Sequence, residues 1–213
     1  MANGAGDSIT PFFTIWTEPR ATIRRIVDTD PKRNVIALAA IGAAIGALSG
    51  QWSKAMNNSA GLSVLWPLWV VVIVAVEAAI GVVSLFIGAA VLRWSGGLLG
   101  GVADNIQMRA ALAWSSVPGI AAAIILLIAV LMGIPIPQPS PGTITHIDPS
   151  FYKIMIAEGV LGIWGFFVGL KCIGEVHRFS AWRAFVATLI PAVIAVVLIG
   201  TSLFLFALLL GHH

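Results

Sequence analysis

Glu77 stands inside the apolar run VVVIVAVEAAIGVVSLF, with no basic side chain in the run to pair with it. A carboxyl inside a membrane is expensive and is a default candidate for ion, proton or polar-ligand chemistry. Gly81, Ser84 and Gly88 follow it at helical spacing, so the four residues would form one small and polar stripe. The stripe predicts that Glu77 faces the interior of a helix bundle, protonated or paired there. Glu158, early in a later apolar run, would lie nearer the outer surface. Glu77, Ser84 and Glu158 together form the candidate intramembrane polar site. The same carboxyl also has a structural reading, as a group hydrogen-bonded to a neighbouring helix, because no intramembrane Lys, Arg or His completes a relay.

Other chemistry finds little to work with. The metalloprotease His-Glu-x-x-His and the Gly-x-Ser-x-Gly nucleophile turn are both missing. Gly96, Gly97, Gly100 and Gly101 in SGGLLGG resemble a phosphate loop, but no Lys-Ser/Thr pair follows them and no strand precedes them. They read as a flexible cytoplasmic turn. The single cysteine, Cys172, permits no internal disulfide and no cysteine metal cluster. His146 has no second ligand at a fixed spacing. No catalytic residue, metal or cofactor is expected, and the chain does not read as an enzyme.

The elements that must position these residues are membrane helices. Of 213 residues, 59% are hydrophobic and 10% charged, against roughly 25% charged in a soluble domain. Apolar segments run from about Val35 to Trp52, Trp66 to Leu92, Ala110 to Ile134, Ile154 to Ile173 and Phe185 to Leu210. Each is long enough for a spanning helix, the first barely so. In the second, fifteen Val, Ile, Leu and Phe residues favour insertion by roughly 6 kcal/mol against about 3 for one charged group, so the span tolerates Glu77. The fold class is all-α: a polytopic bundle of five transmembrane helices.

The basic residues orient that bundle. Arg20, Arg24, Arg25, Lys32, Arg33, Arg93, Arg109, Lys171, Arg178 and Arg183 fall on one side, and only Lys54 and Lys153 on the other. The positive-inside rule then puts the N-terminus in the cytoplasm and the C-terminus outside. The outer stretch from Gly133 to Lys153, with its five prolines, reads as a solvated cover loop.

Small residues and prolines suggest how the spans meet. Gly42, Gly46 and Gly50 recur at four-residue intervals, a seam that could join helices within one chain or between two copies. Gly165 and Gly169 offer a second such surface. Pro118 and Pro191 should bend their helices or mark their starts. Ahead of the spans, WTEPRATIRRIVDTDP predicts a short amphipathic helix beginning at Pro19 and stopping before Pro31. It would lie at the cytoplasmic headgroups with Ile23, Ile26 and Val27 on its apolar face. Its arginines are offset by Glu18, Asp28 and Asp30, which argues against nucleic acid. The chain thus divides into a flexible start (1–10), a cytoplasmic interfacial segment (11–33), a five-span domain (34–210) and a tag-like end (211–213).

Three stretches carry a family resemblance. They are the proline-bracketed basic helix, the turn and span entry GGLLGGVADNIQMRAALAWSSVPGI, and GIWGFFVGLKCIGEVHRFSAWRAFVATLIP. In this order, and over about Pro11 to Leu210, the chain resembles the Yip family of Ypt/Rab-interacting membrane proteins. The resemblance implies an all-helical five-span domain and, in eukaryotic members, binding of prenylated Rab-type GTPases. This chain lacks their long polar N-terminal region and their Asp-Leu-Tyr-Gly-Pro motif, and resembles the short prokaryotic members, so a Rab-type partner is not expected. The expected function is a non-catalytic organiser of a bacterial cytoplasmic membrane, binding lipids, a membrane protein or a second copy. Its cytoplasmic docking surface would comprise Arg109, Trp114, Pro118, Glu175, His177 and Arg178. The alternative is a small channel or transporter that uses Glu77.

Overall fold

The computed structural model describes residues 6–57, 66–134 and 149–210. Among them the chain forms eight α-helices and no strand. They are α1 (Gly6–Thr17), α2 (Pro19–Thr29), α3 (Val35–Asn57), α4 (Trp66–Leu98), α5 (Asn105–Ser115), α6 (Val117–Leu131), α7 (Pro149–Val176) and α8 (Ala181–Leu210). The expected loop around His146 and the tag-like end lie outside the described residues. Gly6 to Thr10, within the start expected over 1–10, belong to helix α1.

Local chemistry explains the breaks. Pro19 occupies the first turn of α2, where its missing N–H leaves nothing unpaired. Asp104 caps α5 by accepting the N–H groups of Ile106 and Gln107 at 2.8 and 2.7 Å, while the Gln107 side chain accepts the Asp104 N–H at 3.3 Å. The third apolar segment, expected as one helix, is two: Ser116 separates α5 from α6, and Pro118 sits in the first turn of α6. Pro191 instead remains inside α8.

Among the described residues, four stretches are long and apolar enough to cross a membrane: Pro67–Leu98, Asn105–Leu131, Pro149–Val176 and Ala181–Leu203. The fifth apolar helix, α3, offers a shorter apolar stretch, Val35–Gln51. The spans close a ring in which α3 packs on α4 and α6, α7 packs on α6 and α8, and α8 packs on α4. Helix α5 lies against α3, α4 and α7 at one end of that ring, with α2 beside it.

Burial divides the bundle. The hydrophobic core draws on α1, α2, the start of α3, the later part of α4, α5, the end of α7 and the start of α8. Ile15, Ile23, Met108, Trp114 and Ala184 are fully buried there. Along α8, by contrast, every residue from Ala192 to Leu203 is exposed. Lipid tails are as apolar as a leucine, so spans gain little by hiding their side chains from lipid. The packed end, here called the cap, is therefore the part built like a soluble core. The expected amphipathic helix is present as α2, but Ile23 and Ile26 point into the cap core and not into lipid.

Candidate functional site

Within the cap, Trp114 ties the pieces together. Its indole N–H donates to the Arg33 carbonyl at 3.2 Å, and Phe12 of α1 lies 4.8 Å from its ring. Its complete burial removes it from any docking surface, and Pro118 is buried as well. Arg109 is half-buried: its Nε donates to the Asn105 carbonyl at 3.0 Å, and its guanidinium lies over Phe86 at 4.5 Å.

His177 is also internal, 2% exposed. Its Nδ1 accepts the Ala103 N–H at 3.4 Å, and its Nε2 faces the Leu92 carbonyl at 3.3 Å. That pattern suits the neutral tautomer with its proton on Nε2. The ring of Phe179 stacks on it at 4.9 Å. Gly96 and Gly101 clasp the ring so closely that a Cβ at either would stand 2.2 Å from an imidazole nitrogen. The glycine-rich turn is thus a cradle for a side chain. Burial pushes the His177 pKa down, and its bond to the Leu92 carbonyl partly opposes this.

Glu175 is where the amphipathic helix docks. Arg20 Nη1 donates to Oε2 at 3.2 Å, and Arg24 donates to Oε1 through Nε at 2.7 Å and through Nη2. Arg20 Nη2 also reaches the Phe179 carbonyl at 3.3 Å. Gly174 admits this guanidinium, since a Cβ there would lie 3.1 Å from Arg20 Nη2. The two arginines thereby pin α2 to the turn between α7 and α8.

Above this clamp opens a cleft of about 900 Å³. Arg20, Arg24, Arg178 and Glu175 supply most of its charge, with Asp28 on one wall and Gln107, Val102 and Ser180 on others. Arg178 is exposed and sits at a positive φ of 59°. Of the expected docking residues, the structure brings Glu175 and Arg178 together here. Arg20, Arg24, Gln107 and Ser180 were not among the expected docking residues; for the two arginines the basic helix after Pro19 was the signal. Such an arrangement can bind an anion by charge and by forked hydrogen bonds.

The intramembrane candidates lie elsewhere and do not converge on one polar centre. Glu77 is exposed on the outside of α4, contrary to the interior position its stripe suggested. Gly81 does face inward: a Cβ there would meet the Ala43 Cβ at 2.5 Å and the Ala39 carbonyl at 2.9 Å. Ser84 lines a second cavity, about 550 Å³, with Gly42, Leu85, Gly119, Ile120 and Gly165. Ser115 and Ser116 border it too, but their hydroxyls donate to carbonyls of their own helix, Leu112 and Ala113. Glu158 has one buried oxygen, Oε1, without a hydrogen-bond partner among the described residues. In the glycine seam, a Cβ added at Gly42 would meet the Ile120 side chain, whereas one added at Gly46 or Gly50 would meet nothing within 4 Å among the described residues. A Cβ added at Gly165 would lie 3.4 Å from the Pro118 Cβ, and one added at Gly169 would lie 3.9 Å from the Ser115 Oγ. No group of three or more His, Cys, Asp or Glu side chains suited to a metal occurs among the described residues.

These features define an all-helical polytopic membrane protein with a packed, arginine-rich cap at one end of its bundle. The chain matches the Yip1 domain over residues 13–204 and belongs to that family. No curated protein and no solved structure matches it.

Proposed function

We propose that this Yip-type protein is a non-catalytic membrane organiser that holds anionic lipid at its arginine-rich cap. The observation supporting this best is the cleft itself, a basic recess walled by the docked amphipathic helix α2. Basic pockets beside membrane helices attract anionic headgroups, with about 1 kcal/mol from each nearby Lys or Arg. Trp94 and Trp182, both exposed near the cap, suit the same headgroup level. The ten cations gathered on this side of the sequence favour a cytoplasmic cap, in a bacterial cytoplasmic membrane.

Because α2 spends its apolar face on the protein core, it contributes charge, and not insertion, to the membrane surface. Glu175 fixes two of its arginines in place, so the basic surface is pre-formed and loses little entropy on binding. Membrane proteins or a second copy remain further partners of the same organising role; a Rab-type GTPase is not proposed. Glu77, on the outer face of α4, gives a channel reading no support.

Native mass spectrometry of the protein equilibrated with equal amounts of phosphatidylglycerol and phosphatidylcholine tests the proposal. Preferential retention of phosphatidylglycerol is expected. Equal retention of the two lipids contradicts it.

A further inference from the structure

We infer that the cleft is a specific site for the phosphate group of an anionic phospholipid, with Arg178 as its principal donor; this rests on the lipid-binding reading above.

The first support is where Arg178 stands. Helix α7 ends at Val176, and the next turn closes through the Arg178 N–H to the Glu175 carbonyl at 3.1 Å and the Phe179 N–H to the Gly174 carbonyl at 2.9 Å. A left-handed residue just past a helix is a position that glycine fills with least strain. Here φ is 59° and the residue is arginine. Its guanidinium has no hydrogen bond or ion pair to another described residue, so all its donors remain open to a ligand. A strained backbone that carries an unspent side chain into a cleft points to a role for that side chain.

The charge balance adds to this. Glu175 and Asp28 oppose Arg20, Arg24 and Arg178, which leaves the lining one net positive charge. Arg24 commits Nε and Nη2 to Glu175, so its Nη1 hydrogens stay free to meet a phosphate oxygen beside Arg178. Ser180 lines the same cleft and caps α8, accepting the Arg183 N–H at 3.4 Å. The partial positive charge of that helix start favours an anion as well.

The rim distinguishes a lipid from a soluble phosphate compound. Val102, which lines the cleft, is 63% exposed, and Val27 and Val176 line it as well. An apolar border on an arginine cleft suits a headgroup whose chains continue into the bilayer, and gives a fully hydrated phosphate nothing.

The test titrates phosphatidylglycerol onto the purified protein by native mass spectrometry, with Arg178→Gly, Arg178→Lys and Arg183→Ala variants. Glycine suits the positive φ, so Arg178→Gly should fold at least as stably as the unaltered chain while binding about tenfold more weakly, as expected for one charge-assisted contact. Arg178→Lys keeps the charge but loses the fork, and should fall between the two. Arg183→Ala, with its guanidinium outside the cleft lining, should change little. Inorganic phosphate at the lipid's concentration should not displace the lipid. Wild-type affinity in Arg178→Gly, with the preference for phosphatidylglycerol intact, overturns the site and leaves the lipid reading standing. Displacement by inorganic phosphate assigns the cleft to a soluble anion and also overturns it. Absence of any phosphatidylglycerol preference in the unaltered protein removes both.

Discussion

Gly101 lies so close to His177 that a Cβ on it would stand 2.2 Å from the imidazole Nδ1. Gly96 closes on the other nitrogen, Nε2, at the same distance. The turn that joins α4 to α5 is therefore moulded on a side chain from the end of α7. This contact couples the elements that carry the cleft, because Val102 also donates its N–H to the His177 carbonyl at 3.4 Å.

Alanine at Gly96 or Gly101 should lower stability by about 1–3 kcal/mol, the usual range for overpacking. Alanine at Gly97, whose added Cβ meets nothing within 4 Å, should be neutral or slightly stabilising because that position is helical. Thermal melts of the three variants in detergent make the comparison.

Acidification should loosen the cap through the same histidine. The folded state lowers the His177 pKa below its ordinary value, so between that lowered value and about 6.5 the unfolded chain binds more protons than the folded one. The stability contributed by the neutral ring is complete above about pH 6.5 and declines as pH falls through the window beneath it. Protonation would put a hydrogen on Nδ1, where Ala103 N–H now donates. Melting temperature measured against pH should drop in that window, and His177→Gln should flatten the slope.

Removing the clamp charge should free α2. Glu175→Gln weakens the bonds to Arg20 and Arg24, at a cost on the order of 1–2 kcal/mol, because both arginines are partly solvated and their pairing is screened. Hydrogen exchange at the amides that follow Pro19 in α2 should accelerate more than exchange in α5. Equal protection in the variant and the unaltered chain would show that Ile23 and Ile26 alone hold the helix.

The spans should show the same selectivity between glycines. Gly81→Ala forces a Cβ to within 2.5 Å of the Ala43 Cβ, so α3 and α4 must separate, whereas Gly46→Ala adds its methyl to open space. Reduced melting temperature in the first variant and an unchanged value in the second is the expected pattern.

Much of this fold is legible in the residues. The apolar runs, the proline start of α2 and the break near Pro118 follow from backbone chemistry that acts within a few positions. What escaped depends on partners distant in sequence. Helix α4 is apolar nearly all round, so its pattern does not say which face turns inward, and Glu77 went to the wrong side. The stripe on α2 announces an apolar face but not whether lipid or protein covers it. Gly96 and Gly101 look like a flexible turn until His177 is placed between them. The cleft was half legible: Glu175 and Arg178 stood out, whereas Arg20 and Arg24 joined them only once α2 had docked.

The central claim is that the cap selects anionic lipid within a bilayer. Electron paramagnetic resonance of spin-labelled phosphatidylglycerol and phosphatidylcholine in proteoliposomes measures this directly, as the fraction of each lipid slowed by the protein. The account predicts a larger slowed fraction for phosphatidylglycerol, shrinking as salt is raised. Equal fractions for the two lipids at every salt concentration would contradict it.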